Sequence, residues 1–290
     1  MRELLFFITY SLATVYAQDG PTCEEMINST YTFLAEISYP NAIKYIESQD
    51  LPEQFAPNVS GRVNPVGTFS GDINTLEYFF ALSVGDYAIS GDDIQTTVVK
   101  GPKLPFRYMT CDETSRITSW AADFYRTGAD EDLEDASFES SFRMLGVARF
   151  TKAGQICGYE LNLERLSLSV VEFPTLTRST SLVDYTLQTT RIITQMCLAI
   201  NFACTGENRQ YLGIADCLFF MNSIPFGSWD NADQDNVTCR NLHMLLALFR
   251  PDAHCPHVGK DGGGRCVDKT YTEVNEADHL FGEACALYED

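Results

Sequence analysis

The chain is 290 residues long, 45% hydrophobic and 12% aromatic, with ten cysteines and a formal net charge of −20. That apolar content fills one large core or two ordinary ones, which excludes disorder. The acidic balance excludes nucleic acid, whose phosphates demand a basic footprint, and disfavours anionic membrane surfaces.

The N-terminus carries Arg2, an apolar run over 4–15 and the small-residue exit Val15-Tyr16-Ala17. This is the anatomy of a secretory signal peptide over residues 1–17. The run is too short for a bilayer, which needs about twenty apolar residues, so membrane insertion is not expected. Three N-x-[ST] acceptors, at Asn28, Asn58 and Asn236, agree with export. So does the even number of cysteines, because the secretory lumen lets disulfides persist. A secreted, extracellular, acidic, disulfide-bonded glycoprotein is expected.

Thr22 and Glu25 have capping-box spacing, and Met26, Ile27, Phe33, Leu34 and Ile37 recur at helical period, predicting a helix ended by Pro40. A short helix over 41–48, a strand over 62–69 and a helix over 72–82 follow. The pattern then changes to period two, with strands expected over 94–99, 104–110, 117–126, 142–150 and 155–163 and a turn at Lys152-Ala153-Gly154. Helices return over 187–204, 210–223 and 239–249, and the remainder reads as irregular. Residues 18–156 hold two cysteines and residues 157–285 hold eight. The expected division is therefore a signal peptide (1–17), an α+β domain (18–165), a connecting segment (166–186) and a Cys-rich helical region (187–290).

Gly67-Thr68-Phe69-Ser70-Gly71-Asp72 leading into Leu76-Glu77-Tyr78-Phe79, and the hairpin from Val147 to Ile156, resemble the NTF2-like superfamily, in particular its SnoaL-like branch. The resemblance covers about residues 23–165. It implies an α+β fold with N-terminal helices on a curved antiparallel sheet, wrapped into a cone around a cavity. The superfamily uses that cavity for cyclases, isomerases, dehydratases and plain binders, so fold does not give function. The Asp/His pair of the cyclase members has no counterpart, because the N-terminal half contains no histidine.

Polar groups on a concave sheet orient ligands, and a desolvated carboxylate there acts as a base. Asp123 is the candidate base, with Trp120, Tyr125 and Tyr159 as candidate ligand contacts. All four histidines lie in the last 48 residues. His243, His254 and His257 are candidate ligands for zinc or copper, although their spacing matches no standard zinc signature. Cys255 beside two histidines superficially suits a nucleophile, but in an exported chain it is expected to be bridged, with Cys266 as the expected partner across a short loop. The acidic run from Asp130 to Asp135 lacks EF-hand spacing, and Gly262-Gly263-Gly264 lacks the Lys-[Ser/Thr] of a phosphate loop.

Three readings follow, with no cofactor expected and the oligomeric state left open. One is a binder of a small apolar molecule in the cavity. Another is a cofactor-free acid–base enzyme (isomerase, cyclase or lyase type) using Asp123. The last is a secreted interaction or effector-like protein with a protein partner at an exposed patch around Phe226 and Trp229.

Overall fold

The computed structural model describes residues 20–84, 97–128, 141–169, 181–275 and 284–288. The signal-peptide residues, the Asp130–Asp135 run, His279, the N-terminal part of the strand expected over 94–99 and much of the segment 166–186 lie outside them.

Helix α1 (Cys23–Glu36) starts on a closed capping box. Thr22 Oγ1 accepts from the Glu25 amide, and the Glu25 carboxylate accepts from the Thr22 amide at 2.8 Å. Two orphan donors are thereby satisfied. Helix α2 (Ala42–Ser48) follows. The strand expected over 62–69 is instead a hairpin of β1 (Phe55–Asn64) and β2 (Gly67–Ser70). Pro65 has no amide to donate, and Gly67 turns the chain at φ 144°.

The third helix begins as α3 (Asp72–Leu76), widens into a π turn (Glu77–Ala81) and closes with α4 (Leu82–Val84). All five residues of the π turn are buried. Side chains from both halves of the chain pack against the turn. Glu77 meets Arg250 and His254, Tyr78 stacks on Phe69, Phe79 packs on Phe33 and Tyr159, and Phe80 on Tyr45.

Strands β3 (Thr97–Lys100), β4 (Tyr108–Asp112), β5 (Ile117–Gly128), β6 (Ser141–Phe150) and β7 (Ile156–Glu164) complete a seven-stranded curved sheet. Its order is β2-β1-β7-β6-β5-β3, with β4 also on β5. Among the described residues every pairing is antiparallel except β1 with β7, so the sheet is mixed rather than antiparallel throughout. β1 and β7 are not joined by a hairpin; a parallel neighbour requires a long crossover, and the intervening chain provides it.

Register sorts the side chains of β5–β7 into two faces. Trp120 lies opposite Gly146, which lies opposite Leu161, and Phe124 lies opposite Phe142. This inner face packs on α1, with Thr118 Oγ1 at 2.9 Å from Thr30 Oγ1. A Cβ on Gly146 would fall 2.1 Å from the Trp120 ring, and one on Gly61 2.4 Å from the Tyr159 ring. Glycine at both positions lets two large rings lie flat on the sheet and fill part of the cone.

The C-terminal region is helical: α5 (Leu166–Ser169), α6 (Leu182–Ala203), α7 (Ile214–Met221), α8 (Val237–Ala247), α9 (Pro251–Val258) and α10 (Tyr271–Asn275). α9 replaces the irregular segment expected there. Pro251 occupies its first turn, where a missing amide costs nothing. Five disulfides pair Cys23 with Cys111, Cys157 with Cys285, Cys197 with Cys217, Cys204 with Cys255, and Cys239 with Cys266. The expected Cys255–Cys266 bridge is therefore not formed. The α9 helix directs Cys255 to the end of α6, and Cys266, past the glycine turn, reaches α8.

The two halves share one core. Leu242 and Leu246 of α8 are buried in the same apolar cluster as Phe33, Phe79 and Phe150. A second cluster joins α6, α7, α8 and α9 around Cys197, Met221 and Val258. Among the described residues, no helix is long and apolar enough to cross a membrane.

Candidate functional site

A cavity of about 190 Å³ lies between the inner face of the sheet, the π turn and α8. The sheet contributes Val63, Val99, Phe124, Phe142, Met144 and Leu163; the helix contributes Tyr78, Phe79, Leu82 and Ser83. Leu166, Trp229, Leu242 and Leu245 close it from the C-terminal half. Burial of aromatic and branched side chains on three sides makes the wall almost wholly apolar. Ser83 Oγ donates to the Phe79 carbonyl at 2.6 Å, and Arg126 is the one charged residue among the described lining residues.

The four sequence candidates stand differently. Trp120 and Tyr159 face inward but fill the core beside the cavity; the Tyr159 hydroxyl lies 3.2 Å from Thr75 Oγ1. Asp123 and Tyr125 lie on the opposite face, because alternation along β5 turns Phe124 inward and its neighbours outward. Asp123 meets the guanidinium of Arg143 at 2.8 Å and that of Arg107 at 2.7 Å. Burial pushes its carboxyl up, but hydrogen bonds and charge from Arg143 and Arg107 outweigh this and hold it below the usual carboxylate range. This carboxylate therefore lies outside the cavity, ion-paired to two arginines. Lys103 sits over the Tyr125 ring, with Nζ 5.3 Å from its centre.

None of the four lines the cavity, and the lining residues that sequence reasoning missed include Tyr78, Ser83, Arg126 and Trp229. Trp229 and Phe226 are half-buried against the shared core rather than forming an exposed patch. The large apolar side chains exposed in that half are elsewhere, including Phe202, Leu212 and Phe219.

The three histidines do converge. α9 places His254 and His257 three apart, so both look along one face. α8 brings His243 to meet them: its Nδ1 is 3.4 Å from His254 Nδ1 and 3.2 Å from His257 Nδ1. The Tyr78 hydroxyl lies 3.3 Å from the same nitrogen. Behind His254, Nε2 is 3.0 Å from Glu77 Oε2, and Arg250 Nε is 2.7 Å from Glu77 Oε1. Burial, and then the neighbouring histidines, hold His243 well below the ordinary histidine range. Burial, then His254 and Arg265, lower His257 to about 4.

Two of the three glycosylation candidates, Asn28 and Asn58, are exposed. Asn236 is 2% exposed. It caps α8, accepting from the Cys239 amide at 2.8 Å and donating to the Asn231 carbonyl at 2.8 Å.

Residues 164–269 match the model of the BfoA family C-terminal domain. The chain is 28% identical over 271 residues to aurasperone B biosynthesis cluster protein A of Aspergillus niger, covering 87% of this chain and 80% of that protein. Similar solved structures include AusH from Aspergillus nidulans (10% identity, TM-score 0.35, 50% of this chain and 87% of that one). Another is a SnoaL-like isomerase candidate from Agrobacterium tumefaciens (13% identity, TM-score 0.31, 49% of this chain and 98% of that one).

Proposed function

We propose that this chain is an exported, disulfide-stabilised protein that holds a small apolar molecule in the cavity between the sheet, the π turn and α8. The observation that carries this reading is the wall itself. Phe79, Phe124, Phe142 and Trp229 offer ring faces and edges, Met144 and five leucines fill between them, and Arg126 is the one charged residue among them. Apolar pockets with few polar groups bind by excluding water and orient the ligand through those few groups. A flat aromatic molecule fits this chemistry. The biosynthesis-cluster relative is in keeping with a small organic ligand. Five disulfides favour an oxidising compartment, and with the apolar N-terminal run they support export. With Asp123 on the outer face, binding is favoured over acid–base catalysis.

The test uses untagged protein secreted from a eukaryotic host and an uncharged naphthalene-class fluorophore. Saturable binding that is lost in Leu163→Trp, with the melting transition retained, supports the reading. Absence of saturable binding, or binding indifferent to Leu163→Trp, refutes it.

A further inference from the structure

Around His243 Nδ1 the hydrogen-bond arithmetic does not close. An imidazole nitrogen offers one in-plane direction, as a donor or as a lone pair. Here three polar atoms lie within 3.4 Å of it: the Tyr78 hydroxyl, His254 Nδ1 and His257 Nδ1. A carboxylate only accepts, so Glu77 fixes the His254 proton on Nε2 and leaves the Nδ1 lone pair turned toward His243. At most one of the two His–His contacts can use the His243 nitrogen as a hydrogen-bond partner. A cation placed among the three lone pairs satisfies them together.

The distances agree with that solution. Zinc–imidazole bonds of roughly 2.0–2.1 Å at tetrahedral angles put ligand nitrogens about 3.3 Å apart. The two measured separations are 3.4 and 3.2 Å, and one ligand atom from each histidine lies within 4.8 Å of the other two. Glu77 behind His254 is the carboxylate–histidine arrangement that orients metal-bound imidazoles, and Arg250 anchors it in turn.

The protein also holds the three rings in place. The Cys204–Cys255 bridge fixes α9 next to His254, and Cys239–Cys266 fixes α8 one turn before His243. The glycine turn closes over the third. A Cβ on Gly263, at φ 53°, would fall 2.8 Å from the His257 ring and 2.7 Å from the Pro256 backbone. His243 and His254 are fully buried and His257 is partly exposed, so His257 marks the way in.

We propose that His243, His254 and His257 bind one borderline divalent transition ion of the zinc–copper class, with the Tyr78 hydroxyl on the fourth side and Glu77 orienting His254. Neutral imidazole lone pairs are the form a metal requires. The Tyr78 ring lines the ligand cavity, so the ion would sit behind its wall. The proposal stands whether or not the cavity holds a ligand.

The test takes the untagged full chain, strips it with a chelator and titrates it separately with zinc, copper and cobalt. One ion per chain is expected, with the intense visible absorption of tetrahedral cobalt. His257→Ala should abolish that absorption without changing the melting transition of the metal-free protein. Glu77→Gln, which keeps all three histidines and removes the orienting carboxylate, should weaken zinc binding by about 10–100-fold. Should His257→Ala fail to fold, His257→Gln takes its place. No stoichiometric uptake, or uptake undiminished by the histidine variants, overturns the proposal.

Discussion

His254 Nε2 lies 3.0 Å from the Glu77 carboxylate, linking a helix of the sheet half to a helix of the Cys-rich half across 177 residues of chain. Both groups are buried, and Arg250 meets the other carboxylate oxygen at 2.7 Å. Glu77→Gln preserves shape but removes the charge that Arg250 faces. In chelator, where metal plays no part, the substitution is expected to cost about 2 kcal/mol of stability, the scale of a charge-assisted hydrogen bond. Urea denaturation of both proteins measures it; a loss below a few tenths would show the contact to be incidental.

Asp123 is a structural carboxylate on the outer face of β5. Asp123→Asn should leave fluorophore binding in the cavity unchanged and lower stability at neutral pH by about 1 kcal/mol, since its arginine partners are half exposed. The folded carboxyl titrates below its ordinary value of 3.8. On acidification the unfolded chain takes up the proton first, so this contribution is whole above roughly pH 5 and lost as pH falls through the folded value. The gap between wild type and Asp123→Asn should close there in denaturation series at stepped pH.

Gly146 is expected to tolerate no side chain. Gly146→Val drives branched carbons into the Trp120 ring and should destabilise by about 3 kcal/mol or prevent folding, through overpacking. The paired change Gly146→Ala with Trp120→Leu should recover part of that loss. A thermal melt of the three proteins checks both statements.

Glycan occupancy should follow exposure. Peptide mapping of secreted protein is expected to find glycans at Asn28 and Asn58 and none at Asn236. Asn236→Ala should leave the glycan count unchanged and cost about 1 kcal/mol for the lost helix cap.

Periodicity and capping chemistry made much of the fold legible. The Thr22–Glu25 box, the inward set Trp120, Ala122 and Phe124, and the apolar face of β6 are local patterns, and local sterics and alternation decide them. The parallel β1–β7 pairing was not legible, because a strand's own residues do not encode which way its neighbour runs. Nor was the π turn: Glu77–Ala81 has no period, and only packing from both halves of the chain makes five successive residues inner ones.

The sequence by itself determined that the cysteines would be bridged, that the chain has a real core, and which residues carry imidazole. Those follow from composition, count and local pattern. Tertiary structure alone decided which cysteine meets which, turned Asp123 out of the cavity and set Tyr78 at its wall. It also brought His243, His254 and His257 to one point with Glu77 behind them. Such contacts join positions far apart in the chain, and their geometry depends on helix packing and strand register, which no short run of residues encodes.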